Sequence, residues 1–142
     1  MLAVVIDVNV VVSAVMSPLG APRRVLEAWH AGLIEALTST GIIDEVAAKL
    51  LDPAIGGRLG VTVAEVETVV LLLQTEARLI SPVSEPPVTG DPEHDHVLAV
   101  VVAGHADYLV TGDKKLLQLG HHGSATIISP RNFLAVLSAP SS

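Results

Sequence analysis

The chain has 142 residues, half of them hydrophobic, with Phe, Tyr and Trp once each and no cysteine. Such a length suits one domain with an aliphatic core, the lack of cysteine removes disulfides and thiolate chemistry, and the longest apolar run, Val97–Ala103, is far short of the roughly 18 residues of a membrane span. A net charge of -7 opposes general coating of nucleic acid, which needs clustered Lys and Arg, yet it is compatible with a nuclease whose acids are neutralised by bound cations.

Val4-Val5-Ile6 run straight into Asp7, as a buried parallel strand does when it ends by presenting one acid at the carboxyl edge of a sheet, where open α/β sheets keep their sites. Asn9 to Met16 reads as a short helix or turn, broken by Ser17-Pro18-Leu19-Gly20. A helix is predicted from Pro22 to about Ala31, then a strand from Leu33 to Thr38. Gly41 to Leu51 has helical spacing, with Ile42, Ile43, Val46 and Leu50 on the buried face and Glu45 at its rim. Ala54 to Gly60 is a glycine-rich turn with a short helix. Thr62 and Glu65 form a capping box that opens a helix to about Ala77.

Leu79-Ile80-Ser81 is a short strand candidate, and Pro82 to Gly90 a proline-rich loop. Asp91-Pro92 reads as an N-cap followed by the first helical position of a helix to Gly104. Asp107 to Thr111 gives a strand ending near a second acid, Asp113, which starts a brief helix. Gly120 to Ser124 is read as loop, Ala125 to Ile128 as the last strand, and Ser129-Pro130 as the cap of a terminal helix to about Leu137. The expected architecture is a three-layer α/β/α sandwich with a central parallel sheet, Rossmann-like, over residues 1–138 with a frayed tail at 139–142. Met1-Leu2 leads into the first strand without a basic n-region, so a cytoplasmic location is expected.

The acids carry the chemistry. Carboxylates at strand ends and on neighbouring helices repel one another unless a cation joins them, and Mg²⁺ and Mn²⁺ prefer oxygen ligands. Two such ions could activate water and stabilise the leaving oxygen of a phosphodiester. Taken singly, Asp91 and Asp113 are equally readable as helix caps and Glu45 as a solvated helix acid. Asp7 is harder to set aside, because a carboxylate closing an apolar strand needs a partner. His94, His96, His121 and His122 match none of the usual zinc spacings and read as surface residues, and Thr111-Gly112-Asp113 is no phosphate loop.

The stretch Asp7-Val8-Asn9-Val10-Val11-Val12-Ser13-Ala14 resembles D-x-N-V-h-V-S-A, h being hydrophobic, the opening motif of the PIN domain nucleases and of their VapC-like toxins in type II toxin-antitoxin systems. Ile42-Ile43-Asp44-Glu45-Val46 resembles the family's helical glutamate segment, and Asp91 to Leu98 its D-P-x-D-[DN]-x-x-L stretch. Ala106 to Leu117 resembles A-D-x-h-V-T-G-D-x-x-L-L, the most specific of the four. The resemblance implies a Mg²⁺- or Mn²⁺-dependent endoribonuclease. Its metal-binding acids would be Asp7, Glu45, Asp95 and Asp113, with Asn9 and Thr111 in support and Asp91, Glu93 and His94 as secondary candidates. Many relatives carry acids where His94 and Lys115 stand, so a catalytically weak PIN fold that binds RNA or protein is the competing expectation. RNA phosphate is expected at Arg23, Arg24, Lys114 and Lys115, four of only eight basic residues. The aliphatic excess points to a homodimer or to an antitoxin partner.

Overall fold

The computed structural model describes residues 1–83 and 86–139, so part of the proline-rich loop and all but the first residue of the expected tail lie outside the described residues. Strand β1 (Leu2–Ile6) carries the opening apolar run, with Val4, Val5 and Ile6 buried. It pairs in parallel with β2 (Ile34–Thr38) on one side, Leu2 opposite Ile34, and with β4 (Tyr108–Val110) on the other, Val4 opposite Tyr108. β3 (Arg78–Leu79) adds in parallel outside β2, and β6 (Ala125–Ile128) in parallel outside β4. β5 (His121–His122) closes that edge antiparallel, completing the order β3-β2-β1-β4-β6-β5.

Two local differences from the sequence reading have plain causes. His121-His122 forms a strand where a loop is expected, because Gly123-Ser124 makes a two-residue hairpin loop whose first position has a positive φ of 55°. The central sheet is therefore mostly parallel, with one antiparallel edge strand. The third strand begins at Arg78, paired opposite Leu37, one residue before the expected start; two residues carry no alternation from which register could be read.

Helices flank this sheet. α1 (Val8–Met16) follows β1 with no connecting loop, since Asp7 is itself its N-cap. α2 (Ala21–His30) has proline in its first turn, α3 (Thr40–Leu51) is capped by Ser39, and α4 (Val63–Glu76) begins with both hydrogen bonds of the Thr62–Glu65 capping box. α5 (Pro92–Gly104) and α6 (Lys114–Leu119) are capped by Asp91 and Asp113, and α7 (Pro130–Ser138) by Ser129. α1 packs on α2 and α3, α3 on α4, and α2 on α7, while α5 lies against β1, β2 and β5. The core is aliphatic, as the composition requires, with Phe133 buried edge-on to Tyr108 at a ring separation of 5.3 Å.

The topology places the site. From β1 the chain moves outward through β2 to β3, then returns to the opposite side of β1 to form β4. Strand order reverses between β1 and β4, so their carboxyl ends feed connections that separate, and a crevice opens there. Asp7 ends one of these strands and Thr111 the other.

Candidate functional site

Asp7 is buried, only 2% exposed, and both its oxygens are engaged. Oδ1 accepts the Val8 N–H at 2.8 Å as the α1 cap, and Oδ2 accepts the Thr111 hydroxyl at 2.7 Å. Burial pushes its pKa up; the Thr111 and Val8 hydrogen bonds and nearby His94 pull the other way, and Glu93 adds to the rise. Thr111, fully buried, also accepts the Asp113 N–H at 3.0 Å. One hydroxyl thus ties the ends of β1 and β4 together, joining the Asp7 carboxylate to the Asp113 main chain.

Asp113 caps α6 through Oδ1, which accepts the Leu116 N–H at 3.0 Å, while its Oδ2 lies 3.4 Å from His94 Nε2. The other ring nitrogen, Nδ1, stands 3.8 Å from Asp91 Oδ2 and is buried without a hydrogen-bond partner. His94 is therefore no surface histidine: its side chain is 14% exposed and inserted between two carboxylates. Asp91 caps α5, accepting the Glu93 N–H at 2.9 Å. Asn9, Asp91, His94, Asp113, Lys114 and Lys115 line one cleft of about 690 Å³.

An adjoining hollow of about 370 Å³ runs between α3 and α5, lined by Glu45, Glu93 and His96 among others. Glu93 Oε1 is held by Lys49 Nζ at 2.9 Å, and the same ammonium donates to Asn9 Oδ1 at 3.0 Å. His96 Nε2 pairs with the Ser39 hydroxyl at 2.8 Å, and a Cβ at Gly41 would meet that ring nitrogen at 2.7 Å, so a larger residue there would displace the imidazole from its present position.

The PIN domain family model matches residues 3–115, from β1 through the first turn of α6. The chain belongs to the PIN domain family. PIN domains are generally metal-dependent nucleases and typically use Mg²⁺ or Mn²⁺. The chain is also 29% identical over 116 residues, 82% of its own length and 74% of the other's, to an uncharacterized protein of Methanocaldococcus jannaschii. No solved structure matches it. Among the described residues no helix is long and apolar enough to cross a membrane.

This PIN domain distributes the expected residues unevenly. Asp7 and Thr111 are buried behind the cleft without lining it and are hydrogen-bonded through Thr111 to the Asp113 main chain, and Asp91 and His94 share the cleft with Asp113. Glu45 and Glu93 line the neighbouring hollow. Asp95 lines neither: its Oδ1 accepts the Val88 N–H at 3.1 Å, the Thr89 N–H at 2.8 Å and the Thr89 hydroxyl at 2.9 Å, bonds that hold its pKa down and anchor the loop before α5. Lys114 and Lys115 flank the cleft, whereas Arg23 donates to the Ala14 carbonyl at 2.7 Å and lines a cavity between α2 and α4. Arg24 lines a hollow against α7.

Lys49 is the site residue that sequence reasoning passes over. Its signal is the spacing of four from Glu45, which puts both on one side of α3. Among the described residues no three His, Asp or Glu side chains form a closed metal-binding group. The donors still suit a divalent cation: burial disfavours the ionised form of Asp7, a cost that a nearby cation would offset, Asp113 and Asp91 offer further oxygens, and the orphaned buried nitrogen of His94 lies among them.

Proposed function

We propose that this PIN domain is a Mg²⁺- or Mn²⁺-dependent endoribonuclease acting in the cytoplasm, and the toxin of a toxin-antitoxin pair. The observation that carries the reading is the Asp7–Thr111–Asp113 chain of hydrogen bonds at the strand-order reversal, which ends at a cleft lined by Asp113, Lys114 and Lys115. Asp7 and Asp113 would hold the ion, with Asp91 and His94 beside them. When bound, a divalent cation supplies Lewis-acid charge at the scissile phosphate and lowers the pKa of the attacking water. The chain's own residues do the rest. Thr111 fixes the Asp7 carboxylate so that no reorientation is needed on binding, and the two lysines attract backbone phosphate as flexible point charges.

The toxin role is supported by the likeness of the four motifs to VapC-like toxins, and a protein partner, whether antitoxin or second copy, by the exposed Leu19, Leu33, Leu59, Val63 and Leu71. End-labelled single-stranded RNA incubated with Mn²⁺ is expected to be cut by the wild type, and to remain intact with EDTA or with Asp113→Asn. Cleavage by Asp113→Asn at the wild-type rate, or none by the wild type, would overturn the nuclease reading. Growth arrest on expression, reversed by a small neighbouring reading frame, tests the toxin role.

A second reading has its own observation. Lys49 is paired with Glu93, and the His94 ring is inserted between Asp91 and Asp113, which favours a weakly catalytic PIN fold that binds RNA. Under that reading Asp7→Asn binds RNA as well as wild type and neither protein cleaves it.

A further inference from the structure

Lys49 reaches across from α3 to two other elements, with its ammonium 2.9 Å from Glu93 on α5 and 3.0 Å from Asn9 on α1. The Lys49 side chain is 24% exposed and that of Glu93 37%, so the ion pair is half-buried, while the bond to Asn9 lies at its exposed side. Glu93 and Glu45 line the same hollow, and Lys49 follows Glu45 by one helical turn. Two carboxylates facing one hollow beside a buried third, Asp7, call for a cation. The chain supplies one from its own helix.

We propose that the Lys49 ammonium takes the place of a second divalent cation, so that the cleft binds one ion on the Asp7–Asp113 side and none on the Glu45–Glu93 side. The inference rests on the metal-dependent reading above. A two-ion centre needs carboxylate oxygens free to enter both coordination shells, at about 2.1 Å for Mg²⁺. Lys49 donates hydrogen bonds and accepts none, so it sets a positive charge 2.9 Å from Glu93 Oε1 that repels a second cation, whereas the donors to Asp7 are neutral. Asn9 is drawn into the same arrangement, because its amide oxygen accepts from the ammonium instead of facing an ion. The tether also gives Lys49 an advantage over a free cation, since its translational freedom is already lost on folding.

Mn²⁺ titration followed by electron paramagnetic resonance of free Mn²⁺, with calorimetry for affinity, counts the ions without any RNA present. Wild type and Lys49→Arg are expected to bind one Mn²⁺ per chain, and Lys49→Met two. The double variant Lys49→Met with Glu93→Gln is expected to return to one. In EDTA, Lys49→Met should melt below wild type, and Mn²⁺ should raise its midpoint more than it raises the wild-type midpoint. If Lys49→Met does not fold, Lys49→Gln carries the same expectation. Two ions in wild type, or one ion in the neutral variant, overturns the proposal. No ion in any of them overturns both this proposal and the metal-dependent reading. One ion in wild type and two in Lys49→Met, with no RNA cleavage, strikes the nuclease reading alone and supports the role given to Lys49.

Discussion

Thr111→Val isolates the hydroxyl that joins the two strand ends. The side chain is fully buried, and the replacement keeps its branched shape while removing a 2.7 Å bond to the Asp7 carboxylate and a 3.0 Å bond from the Asp113 N–H. A hydrogen bond to a charged group contributes about 1.5–3 kcal/mol and a neutral one about 1, so the variant should lose about 2–4 kcal/mol at neutral pH. With a urea dependence of about 2 kcal/mol per molar, the unfolding midpoint should fall by about 1–2 M. Trp29, the single tryptophan and buried in the core, reports the transition by fluorescence. Because Asp7 loses a donor that lowers its pKa, the carboxyl should hold its proton more tightly, and Mn²⁺ affinity should drop about 10–100-fold. Thr111→Ser keeps the hydroxyl and should retain most of the affinity. A Thr111→Val protein within about 0.5 kcal/mol of wild type, with unaltered Mn²⁺ binding, would refute the reasoning.

Asp7→Asn should stabilise the metal-free protein at neutral pH and abolish cleavage. The folded state raises the Asp7 pKa above its ordinary 3.8, so it binds more protons than the unfolded state, and wild-type stability loses ground as pH rises from that value through the folded pKa. Thermal melts in EDTA across that range should show the wild-type deficit against Asp7→Asn opening with pH; a constant difference would count against it. Asp95 behaves in the opposite sense, because its hydrogen bonds to Thr89 and Val88 lower its pKa: the stability it contributes is present above 3.8 and lost as pH falls through the folded pKa. Asp95→Ala should therefore be less stable at neutral pH, converge with wild type in acid, and bind Mn²⁺ normally; weakened Mn²⁺ binding would return Asp95 to the metal centre. Replacing Lys114 and Lys115 by Gln should reduce the salt slope of single-stranded RNA binding by about 0.7 for each phosphate that is no longer neutralised. The same change at Arg23 and Arg24 should leave that slope intact, and the opposite ranking would move the RNA path to α2.

What the sequence determined by itself is local. The apolar run into Asp7, the Thr62–Glu65 capping box, and the caps at Asp91, Asp113 and Ser129 follow from interactions between residues at most a few positions apart, and all are present in the fold. The parallel character of the sheet is legible for a similar reason, since apolar strands alternating with amphipathic helices have few ways to bury both faces. Tertiary structure decided which side chains meet. From Asp91 to Asp95 the sequence offers three acids and a histidine within five residues, and successive residues on a helix point about 100° apart, so spacing alone cannot say which faces Asp113. The seat of α5 on β1 and β2 turns His94 toward Asp113 and Asp95 toward Thr89. Likewise Lys49 is an ordinary helix lysine until α1, α3 and α5 pack. Only then do Asn9 and Glu93, forty and forty-four residues away, come within reach of one ammonium.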